Sequence, residues 1–461
     1  MVVVDRIYFE SSSGLTEAVK WLYFPEKSLP ASCALRHIYL QQIDAQYVQV
    51  TGYCLDGVWM SRKCKAQGVI GTELLFDGED LLTRVNRGEV WKRTSLCLSQ
   101  TPKNKMNVEA VTEIVSERDV KATGNILIST YAGDIAEFSS GEVKWRSLTT
   151  LRDGWTYRHA CRLISSFSKL KGDNAKRAVW FRFQDNKLSI CSTERDSDRG
   201  DSMLVYELPF EGEDIRFGIL GKYLSKTAEV FQESSLIEVL IEDVEVPTRV
   251  KFIGDIASID LPLIEGYYCQ ALSRGAMAFF YNEGLETETV ATRTFNLIEL
   301  LDSISIQTPK KGYSIKDVVL EMLGEELIQY KRHDIRREEV SRAKTWTLEG
   351  EGTWAPIVLD HLYLTDALFA LDKHITVELK NLQVIGELEI DYEEEEEDLF
   401  ATNSLEKVNI ATKLVTLREA KCLHANGHEQ WLVFLESPNY PSCRIKLTGN
   451  TLSRTVDREE D

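Results

Sequence analysis

The chain has 461 residues, of which 43% are hydrophobic and 28% charged, a composition that supports buried cores in more than one domain. Its net charge of −19 argues against a surface that binds nucleic acid everywhere, because phosphate binding relies on Lys and Arg, so any such contact is expected on a local basic stripe. With no apolar run long enough to cross a bilayer and no signal-like first segment, we expect a cytoplasmic protein without a membrane partner.

Two pairs of alternating segments predict antiparallel hairpins. Residues 35–40 and 47–50 alternate apolar and polar positions on either side of a polar turn. Residues 179–183 and 188–191 do the same around Gln184-Asp185-Asn186-Lys187. Alternation with period two places apolar side chains on one face of a strand, so each pair predicts two strands that share a buried face.

A strand that leads into an amphipathic helix is predicted three times. The three segments are 73–85, 215–226 and 356–368. Their equivalent leucines, Leu82, Leu224 and Leu364, are separated by 142 and 140 residues. Such spacing indicates one module used three times. We therefore predict modules over residues 1–145, 146–271 and 272–461.

Further strands are predicted after each of these helices, at 94–98, 236–241 and 375–379, with hairpins over 126–138 and 249–263 in the first two modules. The third module departs from this plan. Apolar residues such as Val318, Met322 and Leu323 recur at helical spacing and predict a long helical insertion over 314–344. The acidic tract 391–398 predicts a solvated loop, because its like charges repel.

A basic helix is predicted at the start of the second module. Residues 155–170 place Ala160, Leu163, Ile164 and Phe167 on one side, and basic residues on another. From Leu151 to Trp180, seven Lys or Arg stand against two Asp, a local charge of +5. A solvated basic face on an ordinary amphipathic helix gives the same pattern, so the repeat is what favours a nucleic-acid contact.

A known family shows the same order of segments. The helix 155–170 is followed by Cys191-Ser192-Thr193-Glu194, by the strand 217–220 and by Asp260 to Tyr268. This succession resembles the β subunit of bacterial DNA polymerase III, the DNA sliding clamp. The resemblance implies an α+β fold of three clamp modules, each an antiparallel sheet with two helices. It also implies that two chains close head to tail as a ring.

The resemblance implies a function without catalysis. Sliding clamps are processivity factors: a homodimeric ring encircles double-stranded DNA and tethers a DNA polymerase after a clamp loader has placed it there. Basic residues on the helices around the hole would contact phosphates without reading bases. In this chain they would be Arg84, Arg87, Arg158, Arg162, Lys169, Lys171, Lys222 and Lys226.

The resemblance also implies a pocket for partner peptides, at Thr193, Tyr268 and Cys269. This chain departs from the family there, because Cys269 replaces the usual Pro and residues 194–199 form a longer and more acidic turn. The printed sequence also does not end in the family's short apolar peptide. These departures keep an alternative open: a clamp-fold scaffold or inhibitor of an accessory or mobile-element system.

Signatures of catalysis are missing from the sequence, which contains no GxxxxGK[ST], GxGxxG, HExxH or GxSxG motif. Cys422, His424 and His428 have a spacing that could hold zinc, but a fourth ligand is not evident. The pair Asn426-Gly427 between them already predicts a hairpin turn. We therefore expect no enzyme, no metal site and no cofactor.

Overall fold

The structure is a computed structural model. It describes residues 7–9, 15–22, 37–53, 57–68, 74–77, 93–100, 108–115, 121–128, 143–167, 178–196, 200–231, 234–264, 287–305, 317–322, 327–333, 344–347, 349–352, 357–385, 413–423 and 429–451. Within these ranges, no helix combines the length and apolarity that crossing a membrane requires.

The helices and strands fall into three groups along the chain. The first group is β1 (Ile7–Phe9), α1 (Leu15–Leu22), β2 (His37–Gln42), β3 (Tyr47–Tyr53), β4 (Trp59–Lys65), β5 (Gln67–Gly68), β6 (Leu74–Asp77), β7 (Arg93–Gln100), β8 (Val108–Val115) and β9 (Lys121–Ile128). The second is β10 (Trp145–Leu151), α2 (Gly154–Phe167), β11 (Ala178–Gln184), β12 (Lys187–Asp196), β13 (Gly200–Pro209), β14 (Ile215–Leu220), a 3-10 turn (Gly221–Tyr223), α3 (Leu224–Val230), β15 (Ile237–Glu242), β16 (Arg249–Ile253) and β17 (Ala257–Pro262). The third is β18 (Thr287–Asn296), α4 (Leu297–Ser305), β19 (Asp317–Met322), β20 (Leu327–His333), β21 (Lys344–Thr347), β22 (Glu349–Gly352), β23 (Ile357–Asp360), α5 (His361–Ile385), β24 (Leu414–Leu423), β25 (Glu429–Glu436) and β26 (Cys443–Thr451).

One strand arrangement occurs in all three groups, which we call repeats. Each repeat contributes two sets of four adjacent strands. The sets are β6-β2-β3-β4 and β1-β7-β8-β9, then β14-β11-β12-β13 and β10-β15-β16-β17, then β23-β19-β20-β21 and β18-β24-β25-β26. A short segment after the fourth strand returns to the other set each time: β5 pairs with β1, Gly212 bridges Thr149 in β10, and β22 pairs with β18.

Neighbouring repeats share continuous sheets. Residues 59–62 of β4 pair antiparallel with 257–260 of β17, and residues 202–206 of β13 pair antiparallel with 443–447 of β26. In both junctions the fourth strand of one repeat meets the last strand of the next. The backbone N–H and C=O groups of these strands are therefore paired rather than left at an open edge.

The chain packs as two compact units, each with its own core. One unit comprises residues 1–161, 210–213 and 223–265, and it contains the sheet that joins the first two repeats. The other comprises 162–209, 214–222 and 266–461, and it contains the sheet that joins the last two. The middle repeat thus contributes strands to both units. The module boundaries predicted from the sequence stay predictions.

Alternating sequence explains the strands that form these cores. In β15, Ile237, Val239 and Ile241 are buried, and the residues between them are half-buried. The predicted strands at 94–98 and 236–241 and the hairpin at 249–263 are confirmed by β7, β15 and the pair β16–β17. Of the segment 126–138, only residues 126–128, which end β9, lie among the described residues.

The two predicted upstream hairpins are also confirmed. In the turn between β2 and β3, the Asp44 carboxylate accepts hydrogen bonds from the backbone N–H groups of Gln46 (2.7 Å) and Tyr47 (2.8 Å). Between β11 and β12, Asp185 and Asn186 have φ angles of 54° and 59°. Positive φ at both central residues is the geometry of a type I′ turn, which Asp and Asn tolerate well.

The predicted helical insertion over 314–344 is wrong. β19 and β20 lie there instead and pair antiparallel from Asp317↔His333 to Met322↔Ile328. The error has a physical reason: Val318, Leu320 and Met322 alternate as a strand requires, while neighbouring apolar residues also satisfy helical spacing. Pairing with β23 decides for the strand, and it buries Val318 completely. The acidic tract 391–398 lies outside the described residues.

The predicted strand at 375–379 is wrong as well, because α5 continues through it to Ile385. Ile375 and Leu379 fit strand alternation, but together with Leu371 they also fit a spacing of four. All three side chains are buried, which identifies them as one face of the helix. Asp360 caps this helix, since its carboxylate accepts hydrogen bonds from the backbone N–H groups of Leu362 (2.9 Å) and Tyr363 (3.1 Å).

An ion pair stabilises the junction between β4 and β17. Arg249 donates a 2.8 Å hydrogen bond to the Asp260 carboxylate and a 2.7 Å hydrogen bond to the Gly57 carbonyl, in the turn before β4. Asp260 is the last residue of β17 that pairs with β4. Burial raises the pKa of Asp260, and the Arg249 guanidinium offsets part of that shift. The pair therefore fixes the position of β17 against the turn that precedes β4. Its net stabilisation is reduced by the desolvation free energy of burying the two charges.

We predict that Asp260→Asn lowers the free energy of unfolding by about 3 kcal/mol, because it leaves the largely buried Arg249 guanidinium without its counter-charge. Urea unfolding at pH 7 measures the effect. Asp243→Asn, an exposed carboxylate of the same unit, is the matched control and should change the value by less than about 0.5 kcal/mol. Equal effects of the two substitutions would refute the structural role of the pair.

A buried polar cluster accompanies the junction between β13 and β26. The His374 side chain of α5 is fully buried, with Nε2 3.2 Å from the Tyr440 carbonyl oxygen and 3.4 Å from Ser442 Oγ. Its ring meets Tyr206 edge-on at 5.3 Å, and the Tyr206 hydroxyl donates a 3.1 Å hydrogen bond to Glu378. Burial lowers the pKa of His374 to about 4, so the imidazole is neutral at physiological pH.

We predict that acid weakens the unit containing His374 between pH 6.5 and pH 4. A histidine in the unfolded chain binds a proton in this range whereas His374 does not, so the free energy of unfolding falls by up to about 3 kcal/mol as the pH drops. Denaturant unfolding at pH 4 to 7.5 measures the slope. His374→Gln, which cannot titrate, should remove this part of the dependence; an unchanged slope would contradict the prediction.

Candidate nucleic-acid interface

The basic helix predicted at 155–170 is α2, and its first turn is firmly fixed. The Asp153 carboxylate caps it by accepting hydrogen bonds from the Thr156 backbone N–H (3.0 Å) and the Thr156 hydroxyl. The Gly154 N–H donates to the Ser235 carbonyl at 3.0 Å. A Cβ at Gly154 would lie 2.5 Å from the Ser234 carbonyl oxygen, so glycine is required for this close approach. Capping and packing together define where the helix begins.

The apolar side of α2 packs as the sequence predicts. Ala160, Leu163, Ile164 and Phe167 are buried, and so is Tyr157. Leu170, at the end of the predicted helix, lies outside the described residues.

Within one compact unit, the start of α2 is held against α3. Tyr157 stacks on Phe252 at 5.9 Å, and its hydroxyl lies 3.5 Å from the Thr227 hydroxyl of α3. Thr227 donates to the Leu224 carbonyl at 2.7 Å, and its oxygen is 3.6 Å from Cys161 Sγ. Burial raises the pKa of Tyr157 far above its usual value, so the phenol stays neutral and serves the packing.

The opposite side of α2 carries the predicted basic residues. Arg162 is exposed and Arg158 is half-buried, one turn apart on the helix. The Arg158 Nε donates a 3.0 Å hydrogen bond to the Gly154 carbonyl, which holds its stem along the first turn. No carboxylate of the described residues pairs with Arg162, and α2 itself contains no Asp or Glu. At Arg162 this side of the helix therefore presents a positive charge that no carboxylate of the described residues pairs with.

An aromatic pair on the same side was not predicted from the sequence. Trp155 is 39% exposed, and its indole stacks on the His159 imidazole with centroids 5.9 Å apart and planes 20° apart. The signal was present as a Trp and a His four residues apart, with Arg158 directly before the His. The charge pattern that identifies this helix carries no information about the two rings.

The remaining predicted contacts of the DNA set are only partly described. Lys222 lies in the 3-10 turn and Lys226 in α3, and both are half-buried. Lys226 directly precedes Thr227, which packs against α2. Four of the predicted residues lie outside the described ranges: Arg84, Arg87, Lys169 and Lys171.

The predicted peptide pocket is likewise only partly described. Thr193 lies in β12, where it pairs with Met203 of β13. Tyr268 and Cys269 lie outside the described residues, so the pocket stays a prediction.

Of the three possible zinc ligands, Cys422 pairs with Thr287 in the strand ladder between β24 and β18. β24 and β25 flank the predicted Asn-Gly turn as an antiparallel pair, which confirms the hairpin, while His424 and His428 lie outside the described residues.

The long helix of the third repeat differs from α2 in chemistry. The exposed side of α5 carries Leu362 and Phe369, 43% and 46% exposed, together with Lys373. Asp366 is half-buried near them in sequence. This side therefore combines exposed apolar and charged side chains, whereas the exposed side of α2 carries arginines.

Comparison with known proteins identifies similar solved structures. No protein-family model matches the chain, and no curated protein matches its sequence. Solved structures do match over almost the whole length. The DNA polymerase III subunit beta of Pseudomonas aeruginosa has a TM-score of 0.63 at 11% identity, with 97% of this chain and 100% of that chain covered.

Two further bacterial proteins agree with it. The beta sliding clamp of Caulobacter crescentus has a TM-score of 0.62 at 12% identity, with 97% of this chain and 99% of that chain covered. The DNA polymerase III subunit beta of Borrelia burgdorferi has a TM-score of 0.62 at 11% identity, with 98% and 100% covered. Coverage of at least 97% of each chain, at TM-scores above 0.6, means that this chain has the fold of the bacterial sliding clamp.

Proposed function

We propose that this chain is a sliding clamp: two copies close head to tail around double-stranded DNA and tether a DNA polymerase by topology. The chain catalyses nothing in this proposal, and a clamp loader opens the ring to place it on DNA. The solved structures of the same fold are named as DNA polymerase III beta subunits and sliding clamps, which supports this assignment over other classes of function.

The equivalence of the junctions carries the proposal. The fourth strand of the first repeat pairs with the last strand of the second, and the fourth strand of the second pairs with the last strand of the third. Two equivalent strands remain at the ends of their sheets among the described residues: β21, the fourth strand of the third repeat, and β9, the last strand of the first. β21 of one copy can pair with β9 of another by the same rule. Two such pairings, related by a twofold axis, close a ring.

The charge of α2 supports a DNA contact in this ring. A chain of net charge −19 repels phosphates at long range, so DNA must be held by a local surface. The arginines on the exposed side of α2 supply such a surface without groups arranged to read base edges. Contacts to phosphates alone allow movement along the duplex.

We predict a dimer of twice the 52.6 kDa chain mass by light scattering at micromolar concentration. Proline at the open edge of β9 should yield a monomer, because proline has no N–H to donate to a partner strand. Adjacent strand residues direct their N–H groups to opposite sides. Ile126→Pro and Leu127→Pro therefore form a matched pair. One of the two substitutions removes an N–H that points to β8, and the other removes an N–H that points to the open edge of β9.

The edge-directed variant should be monomeric with a melting temperature close to that of the wild-type chain, and the other should be destabilised. A strictly monomeric wild-type chain, or a dimer that survives both substitutions, would refute closure through β9.

We further predict that Arg158→Glu combined with Arg162→Glu reduces retention on nicked circular duplex DNA at least tenfold after loader treatment, because it replaces two positive charges on α2 by negative ones. Gel filtration of the DNA-bound fraction measures retention, and linearising the DNA should release the wild-type chain.

Lys187→Glu combined with Arg216→Glu makes the same charge change on the strands β12 and β14 and serves as the control. It should retain most of the wild-type signal. Equal losses in both double variants would remove α2 from the DNA contact. A wild-type dimer that is never retained on circles would favour the alternative of a clamp-fold scaffold or inhibitor.

A further inference from the structure

The exposed indole of Trp155 needs an explanation that charge alone does not provide. Six other large apolar side chains are exposed among the described residues: Ile43, Leu236, Val244, Val246, Leu362 and Phe369. Of the exposed set within the described ranges, Trp155 alone stacks on an imidazole. An apolar ring on a surface costs hydration free energy, and stacking on His159 covers only part of it.

The ring pair is held in place before any ligand binds. Asp153 and Gly154 fix the residues directly before Trp155, as described above. His159, one turn further along, is half-buried and braces the indole. An aromatic surface on a fixed helical turn loses little conformational entropy when a flat ligand stacks on it, so the arrangement is preorganised for binding.

The charges around the ring pair indicate what the flat ligand carries. Arg158 follows three residues after Trp155 on the same side of the helix, and Arg152 lies just before the helix. Arg152 pairs with Glu211 at 3.4 Å, but both side chains are at least 80% exposed, so this ion pair is weak and solvent-screened. The Asp153 carboxylate also lies at this end of the helix, where it accepts the two capping hydrogen bonds from Thr156. A flat ring with an arginine before it and another after it along the chain fits a base with its adjacent phosphates.

We infer that the Trp155 face of α2 binds single-stranded DNA by stacking an unpaired base on the indole. This inference deepens the proposed function and depends on it in taking DNA as the ligand. In a duplex the bases stack on each other and offer no free face, so the site recognises the single-stranded side of a primer–template junction. Paired DNA contacts the arginines of the same helix without using the ring. One helix surface thus distinguishes the two forms of DNA by stacking rather than by charge.

Fluorescence anisotropy with labelled oligonucleotides tests the inference. Trp155→Leu should weaken binding of a 20-residue oligothymidylate by about tenfold, the range expected when one stacked base is lost. Trp155→Phe keeps a ring and should stay within about threefold of the wild type. An abasic strand of the same length and charge should bind the wild type and Trp155→Leu equally, because it has no base to stack.

Two further arms complete the test. Phe369→Leu removes an exposed aromatic ring of the other compact unit and should leave oligothymidylate binding unchanged. Trp155→Leu should also leave the dimer mass and the retention on circular duplex unchanged, which separates this inference from the proposed function. Oligothymidylate binding that is insensitive to Trp155→Leu, or an equal loss with the abasic strand, would overturn it even if the ring closes.

Discussion

Each strand at the edge of a sheet exposes a row of unpaired N–H and C=O groups, and this constraint organises the whole chain. In the three repeats, strands at sheet edges pair with strands of the next repeat: β4 pairs with β17, and β13 pairs with β26. Side-chain contacts accompany both of these junctions between repeats. Arg249 and Asp260 hold a turn of the first repeat against a strand of the second, and the His374 cluster packs beside the second junction. The position of α2 depends in turn on the sheet formed by β10 and β15 to β17, on which Tyr157 rests through Phe252.

Much of this fold could be predicted from the sequence because local patterns and global architecture agree. The hairpins β2–β3 and β11–β12 have alternating strands and turn residues that tolerate their backbone angles, so pattern and turn chemistry both point to them. The errors occur where two periods coincide. The segment that begins at Val318 satisfies helical and strand spacing at once, and so does the run from Leu371 to Leu379. Only the neighbouring element decides: β23 pairs with the first, and the core around α5 buries the second. Neighbours distant in sequence leave no local signal.

The candidate interface was predictable in its charge and not in its rings. A count of Lys and Arg along 151–180 identifies α2, and helical spacing places Arg158 and Arg162 away from the buried face. The exposure of Trp155 is different, because a tryptophan on an amphipathic helix is more often part of the core. The residues directly before it are held by the Asp153 cap and by the approach of Gly154 to the Ser234 carbonyl, and these contacts fix which way the first turn of the helix faces. A period of 3.6 residues does not specify that rotation.

The sharing of strands between repeats has a consequence for how the protein unfolds. The middle repeat contributes one sheet to each compact unit, so it cannot lose its structure without opening both. Unfolding of either unit is therefore expected to remove one of the two strand sets of the middle repeat. We therefore do not expect the three repeats to unfold independently of one another. Local opening is expected to be easiest at strands that have a neighbour on one side only. Protease sensitivity and hydrogen exchange are then expected to follow the strand pairing between repeats rather than the order of the repeats along the chain.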